Sequence, residues 1–509
     1  MIARVESCLL QGIDARPCEI EIDVDDRGLD KQTIVGLPDA AVKESLERVR
    51  AALANAGYPF PAGRSLINLA PADVRKEGPV YDLPIALGML LAQGVVRSRA
   101  EGDGLDPRRC LVVGELALDG RVRPVKGAIA MAAMARERRL AALICPKDNA
   151  AEAAVVGGVD VFGVRTLSEV IGLLSGEIDA EPEPRPDVEA LLRSAEAPID
   201  FAEVRGQEGV KRAIVVAAAG SHNLLMLGPA GTGKTMMAKA LPGVLPPLTA
   251  DEAIEITRIY SAAGAMPHGD CLITTRPVRT PHHTASPPAI VGGGVIPRAG
   301  EISLAHRGVL FLDELPEFGR GVLETLRQPM EDHVVTIARA HGSVCFPASF
   351  MLVAAMNPTP RGDVAPGEVG RREMEQYIGR LSGPLLDRVD IHVEAPAVPF
   401  KQLSDAPRGT DSKTMREQVA AARQRMAERQ GPGVPNARLS GKQLDSLARM
   451  SEGAMALLGQ AIAGLGLSAR AYDKIRRVSR TIADLDGQES ITEAHVAEAV
   501  QYRLLDRRV

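Results

Sequence analysis

The 509-residue chain has no tryptophan, and aromatic residues make up only 3% of it. Recognition through broad aromatic platforms is therefore not its device, and its cores must be packed from Ala, Val, Leu and Ile. Cysteine is sparse: Cys8, Cys18, Cys110, Cys145, Cys271 and Cys345 stand far apart, which excludes CxxC zinc knuckles and dithiol redox motifs. Isolated thiols in a chain of this length fit a reducing cytosol. The net charge of -5 supplies no global basic field, so any surface for nucleic acid must be local. No uncharged apolar run reaches the roughly 18 residues of a membrane span, and the opening Met1-Ile-Ala-Arg-Val-Glu6 lacks a leader's apolar core. A cytoplasmic protein with no membrane partner is expected.

What is present is ordinary globular composition, 45% hydrophobic and 25% charged, over a length that suggests about three domains. Residues 1–176 read as a mixed α/β unit. Val42, Leu46, Val49 and Leu53 recur at helical spacing between Pro38-Asp39 and Gly57. Ser65–Leu69 reads as a strand, Leu111–Leu118 with Asp119-Gly120 as the entry to a hairpin, Ala128–Arg138 as a helix and Ala141–Cys145 as a strand. Residues 177–199 are acidic and proline-rich, and are expected to form an extended, solvated linker. A second unit spans 200–400. Residues 401–509 read as helical with a break at Gly431-Pro432-Gly433, divided into a connector over 401–436 and a helical segment over 437–509.

The most informative stretch is Gly228-Pro229-Ala230-Gly231-Thr232-Gly233-Lys234-Thr235, a GxxxxGK[ST] loop. The apolar run Asn223–Leu227 before it suits a strand, and Met236–Leu241 can open a helix. In that setting the glycines turn backbone N–H groups toward phosphate oxygens, and the helix N-terminus adds positive potential. Lys234 would pair with the β- and γ-phosphates of ATP, and the Thr235 hydroxyl would ligate Mg²⁺. About 80 residues on, Val309-Leu-Phe-Leu312 ends in Asp313-Glu314. Asp313 would hold the water shell of Mg²⁺, and Glu314 would orient and polarise the attacking water. A third apolar strand, Phe350–Met356, ends in Asn357-Pro358. Asn357 either contacts the γ-phosphate or lytic water, or caps the turn before the proline.

Taken together, Gly206-Gln207, Gly228–Thr235, Arg279-Thr-Pro-His-His-Thr284, Gly292-Gly-Gly294, Gly300-Glu-Ile-Ser-Leu-Ala-His306, Gly308–Phe318 and Ser382-Gly-Pro-Leu-Leu-Asp-Arg388 resemble the magnesium-chelatase-like AAA+ ATPases of the bacterial competence (ComM/YifB) type. The resemblance covers essentially the whole chain. It implies an α/β AAA+ P-loop core, a parallel sheet with flanking helices, followed by an α-helical lid. It places Gln207 in the nucleotide site, Arg388 as an arginine finger reaching a neighbouring subunit's ATP, and Arg470 as the sensor-2 arginine of the lid. Read from the residues alone, either arginine is better explained as an ordinary surface residue paired with an acidic neighbour such as Asp387 or Asp473, and it is the resemblance that reverses this. Relatives often carry Cys-Pro-Cys-Gly after the Asn-Pro; this chain has Thr359-Pro-Arg-Gly362 there. The N-terminal unit is similar to the Lon-type proteolytic domain (ribosomal S5 domain 2-like), with Val80 at the serine position and Ile129 or Met131 at the lysine position. Without a Ser-Lys pair it is expected to be a structural or binding module.

The resemblance further implies a hexameric DNA branch-migration helicase acting on branched or single-stranded DNA during natural transformation and recombination. A chelatase motor subunit driving Mg²⁺ into a porphyrin, or a nucleotide-gated scaffold, are the alternatives. Two segments carry candidate DNA contacts: Arg276, Arg279, His282, His283 and Arg298 in the first, and Arg339 and His341 at the tip of a hairpin over Val334–Phe346 in the second. Each could instead be a subunit contact.

Overall fold

A computed structural model describes residues 2–25, 31–96, 105–294, 297–339, 342–359, 368–398, 409–503 and 505. The chain divides into two compact units. The first is Met1–Arg193 with Thr249–Thr274, and the second is Ser194–Leu248 with Thr275–Val509.

The first unit is built on a seven-stranded mixed sheet of β1 (Ile2–Gln11), β2 (Asp14–Asp25), β3 (Lys31–Val35), β4 (Arg64–Ala70), β5 (Cys110–Val112), β8 (Ala142–Pro146) and β9 (Asp160–Val164), in the order β3-β4-β2-β1-β5-β8-β9. A small antiparallel pair, β6 (Glu115–Leu116) and β7 (Val122–Arg123), forms the hairpin around Asp119-Gly120. In β2, Cys18, Ile20, Ile22 and Val24 are buried and alternate with more exposed neighbours, the period of a strand with one covered face. The helix Ala40–Asn55 starts where Asp39 accepts a hydrogen bond from the Val42 amide, and it buries Val42, Val49 and Leu53. The helix expected from Ala128 runs Ala128–Glu137, with Ile129 and Met131 buried in it, while Val80 lies in a short 3-10 turn, Pro79–Tyr81. Helix Ala250–Ala263 belongs to this unit although its sequence follows the phosphate loop; the Gly127 amide donates to Ser261 Oγ at 2.9 Å. Part of the acidic stretch 177–199 is helical, over Val188–Arg193, where a continuously extended chain was expected.

In the second unit β10 (Leu224–Leu227), β11 (Val278–Arg279), β14 (Val309–Leu312), β17 (Met351–Met356) and β18 (Ile391–Glu394) form a parallel sheet in the order β11-β14-β17-β10-β18. Every residue of β10, β14 and β17 is buried, as helices on both faces of a parallel sheet require. This is the α/β AAA+ architecture. Two hairpins accompany it: β12 (Gly292–Gly293) with β13 (Arg298–Ala299), and β15 (Val334–Arg339) with β16 (Gly342–Pro347). The C-terminal part is helical, over Ser412–Gln430, Gly441–Leu447, Glu452–Leu465, Ala469–Leu485 and Glu493–Gln501. Much of the 401–436 connector is thus one 19-residue helix, whose Met415, Val419, Ala422 and Met426 share the sheet's core cluster.

A buried ionic knot joins two of these helices. Asp484 is 1% exposed and accepts from Arg429 at 2.5 and 2.9 Å, from Arg480 at 2.9 Å and from Asn436 at 2.8 Å. Removing the carboxylate strands two guanidiniums, one of them buried. Asp484→Ala is therefore expected to cost about 3 kcal/mol, the low end for a broken buried pair because Arg429 keeps some solvent. The shift of the urea unfolding transition checks this; a loss below about 1 kcal/mol would show that water replaces the carboxylate.

Candidate nucleotide site

The parallel sheet delivers three strand ends to one place. β10 runs into the loop Gly228–Gly233, and the helix Lys234–Ala240 follows. Gly228 is required for close packing: a Cβ there would lie 2.1 Å from the Ala395 carbonyl oxygen beyond β18. Gly233 has φ +83, a left-handed conformation that turns the chain into the helix and that glycine adopts without strain. Thr232 is buried and donates to the Pro229 carbonyl at 3.1 Å. The Lys234 ammonium sits inside the loop, donating to the carbonyls of Gly228 at 2.7 Å and Pro229 at 2.8 Å and to Asn357 Oδ1 at 3.2 Å. Burial lowers the Lys234 pKa from its ordinary value, and the Asp313 charge opposes that shift.

β14 ends in the two carboxylates. Asp313 Oδ2 accepts from the Thr235 hydroxyl at 2.7 Å, and its Oδ1 accepts from the Glu314 amide at 3.0 Å. Glu314 has φ +51, left-handed backbone that a non-glycine residue adopts at a cost of order 1–3 kcal/mol. Its side chain is half-exposed, with Oε2 3.3 Å from His283 Nδ1. β17 ends at Asn357. Lys234, Thr235, Asp313 and Asn357 thus form one bonded cluster from residues up to 123 positions apart.

Beside this cluster Gln207 is buried, itself at φ +60. Its Nε2 donates to the Pro396 carbonyl at 2.7 Å, and its buried Oε1 has no hydrogen-bond partner among the described residues. A phosphate-binding loop closed on its own lysine, a hydroxyl against a carboxylate and an orphaned amide oxygen fit Mg-ATP. The backbone amides of 228–235 and Lys234 would hold the phosphates, and Thr235 with Asp313 would hold Mg²⁺. Among the described residues no group of three or more His, Cys, Asp or Glu side chains is placed to hold a metal ion by itself.

The remaining candidates lie elsewhere. Arg388 follows the helix Gly383–Leu386, donates to the Pro384 carbonyl at 2.8 Å and pairs with Glu331. Arg470 is exposed and pairs with Asp387 at 3.2 Å. Arg276 is engaged by three backbone carbonyls, those of Pro246, Arg307 and Pro247, at 2.6, 2.6 and 3.3 Å. Arg279 makes a bidentate pair with Glu301 at 2.6 and 2.8 Å. His282 and Arg298 are exposed. Arg339 ends β15, and its side chain, like His341 and residues 360–362 after Asn357, lies outside the described residues. Spacing gave no sign of the approach of His283 to Glu314, because it depends on β11 lying next to β14.

Comparison with known proteins agrees with this architecture. The family described as magnesium chelatase, subunit ChlI, matches residues 200–403; its N-terminal counterpart, subunit ChlI of Mg-chelatase, matches 20–149, and its C-terminal one 409–503. The chain is 43% identical over 511 residues to competence protein ComM of Haemophilus influenzae, covering 99% of this chain and 98% of that protein. It is 44% identical over 504 residues to YifB of Escherichia coli, covering 97% and 96%. Likeness to the magnesium-chelatase 38 kDa subunit of Rhodobacter capsulatus is 26% over 265 residues, 46% of this chain and 71% of that one. No helix among the described residues is long and apolar enough to cross a membrane.

Proposed function

Because the chain belongs to the magnesium-chelatase-like AAA+ family of the ComM and YifB type, we propose that it is a Mg²⁺-dependent ATPase that remodels DNA as a homo-oligomeric ring, a hexamer. The observation that carries the ATPase reading is the bonded cluster of Lys234, Asn357, Thr235 and Asp313, with Glu314 held next to it in left-handed backbone. Mg-ATP, when bound, supplies the phosphoanhydride to be cleaved. Lys234 leaves its carbonyl partners and pairs with phosphate oxygens, while Asn357 orients the γ-phosphate or the water beside it. The Glu314 carboxylate polarises that water and accepts its proton. Arg388, from a neighbouring subunit, stabilises charge on the transferring phosphoryl group, and Arg470 closes the lid. Gln207 contributes its free amide oxygen to the nucleotide.

The DNA reading draws support from the competence named for the Haemophilus influenzae relative and from His282 and Arg298, which stay exposed on the segment between β11 and β14. Arg276 and Arg279 hold the base of that segment in place, so His282 and Arg298 are the better candidates for contact with a strand.

The protein is expected to hydrolyse ATP only with Mg²⁺, to do so faster with branched DNA, and to displace a strand from a three- or four-way junction. Measuring ATPase rate with single-stranded, duplex and branched DNA beside strand displacement, with mass determination in nucleotide, tests all three. An ATPase indifferent to DNA and unable to displace a strand would sink the DNA reading. Stimulation by a porphyrin instead would transfer it to the chelatase class.

A further inference from the structure

The peptide that carries Arg388 is gripped from two sides. The consecutive carbonyls of Arg388, Val389 and Asp390 each accept from a side chain distant in sequence. Asn223, just before β10, donates from Nδ2 to the Arg388 carbonyl at 3.0 Å. Its Oδ1 accepts from the Leu352 amide in β17 at 2.9 Å, which ties Arg388 to the middle of the parallel sheet. Lys474 Nζ donates to the Val389 carbonyl at 3.0 Å. Arg503 Nη1 donates to the same oxygen at 2.7 Å and to the Asp390 carbonyl at 3.3 Å. Lys474 lies in the helix Ala469–Leu485 and Arg503 just after Glu493–Gln501, so both cations come from the C-terminal helical part.

These are not surface charges: Lys474 is 8% exposed and Arg503 2%. Asp390 Oδ1 lies 3.4 Å from Lys474, and its Oδ2 accepts from the Asn223 amide at 3.0 Å. Burial pushes the Asp390 carboxyl up, but the Lys474 charge and the hydrogen bonds to the carboxylate outweigh this and hold it well below the usual carboxylate range. Apolar side chains would fill the same volume without any charge to bury. Two buried cations on one carbonyl therefore secure a position, not bulk. The exposed Arg470–Asp387 pair, on the other side of Arg388, adds little by comparison. The Arg388 side chain is held more lightly than its backbone, by exposed Glu331 and the Pro384 carbonyl. A fixed peptide beneath a releasable guanidinium suits a finger: the backbone sets where it points and the side chain supplies the reach.

We propose that Lys474, with Arg503, is a positioning residue that holds the backbone of Arg388 in register with the nucleotide of a neighbouring subunit. The proposal rests on Arg388 acting as a finger across the interface. Misplacing a charge-stabilising group by about 1 Å costs about 10²-fold in rate, so a lost grip is felt in turnover and not in binding of ATP by the same subunit.

The experiment measures steady-state ATPase, binding of a fluorescent ATP analogue and urea unfolding of the full chain. It compares wild type, Lys474→Met and the double variant Lys474→Met/Asp390→Asn, each alone and mixed with Lys234→Ala. Lys474→Met is expected to lower kcat about 10- to 100-fold with ATP affinity unchanged. The double variant leaves no unpaired charge in the core and should show the same loss, which covers the case in which the single variant fails to fold. Mixing separates positioning from structural support. Both Lys474→Met proteins keep an intact phosphate loop, and Lys234→Ala keeps an intact Arg388 peptide. About a quarter of the interfaces in mixed rings then regain a competent pair, so ATPase should rise well above that of either component alone. The inference is overturned if the Lys474→Met proteins turn over ATP like wild type. It is overturned too if their losses follow the folded fraction in urea, or persist in rings that mass measurement shows to be mixed. Failure of the underlying reading looks different: Arg388→Ala would itself keep its turnover, or stay unrescued by Lys234→Ala.

Discussion

Glu314→Gln is expected to lower ATP turnover by about 10²- to 10⁴-fold while leaving ATP affinity within about twofold of the native value. The substitution keeps the length and shape of the side chain but replaces the carboxylate with a neutral amide, which removes the charge and the ability to accept a proton. Its neighbours stay in place: the Thr235 hydroxyl still meets Asp313, and Lys234 still reaches Asn357. A fall of that size corresponds to roughly 3–5 kcal/mol of lost transition-state stabilisation. Screened interactions of an exposed carboxylate reach at most about 1 kcal/mol, so they cannot mimic the effect. Equilibrium binding of a fluorescent ATP analogue, set beside single-turnover hydrolysis, separates the two quantities. Turnover within about threefold of wild type would show that another group handles the proton. Lost binding would show that Glu314 supports the loop and not the water. The left-handed backbone at Glu314 makes the first pattern the expected one, since strain is kept where it aims a reacting group.

That Lys234, Thr235, Asp313 and Asn357 come together was legible from sequence because the signals are local. Each of β10, β14 and β17 is an uninterrupted apolar run followed directly by the glycine-rich loop or polar residues of the cluster, and a strand buried on both faces needs no alternation. Once all three are parallel neighbours, their polar ends meet. The first unit was less legible. β1 and β2 interleave charged and buried residues, as in Asp14–Asp25, and carry no motif to mark them. The helix Ala250–Ala263 reads as amphipathic, but nothing in its sequence says that its partner is the helix Ala128–Glu137, more than 100 residues earlier. The same gap hid the pairing of His283 with Glu314. His282 and His283 drew notice as possible strand contacts, whereas the sheet order gives the second a carboxylate partner. Arg276 illustrates the converse case. A positive charge in a glycine-rich segment looks available, but three backbone carbonyls hold it.

Arg388→Ala should produce a protein that still assembles and binds ATP but hydrolyses it about 10³- to 10⁵-fold more slowly, the loss typical of a missing arginine finger. Within its own subunit Arg388 pairs with Glu331, which is 60% exposed, and donates to the Pro384 carbonyl. Its Nε is buried without a hydrogen-bond partner among the described residues. Leaving a half-solvated partner costs about 1 kcal/mol or less. The stabilisation available at a transferring phosphoryl group is about 4–7 kcal/mol, so exchange toward a neighbouring subunit's nucleotide wins by a wide margin. A structural role would predict the reverse: a less stable protein whose remaining turnover scales with its folded fraction. Mixing decides between them. Arg388→Ala retains an intact phosphate loop, and Lys234→Ala retains an intact finger, so each is inactive alone. In randomly mixed rings about a quarter of the interfaces pair the good loop of one with the good arginine of the other. Recovery of ATPase on mixing, absent from either variant by itself, is the expected outcome. If mixtures stay inactive although mass measurement shows mixed rings, Arg388 acts inside its own subunit and the site is not shared across the interface.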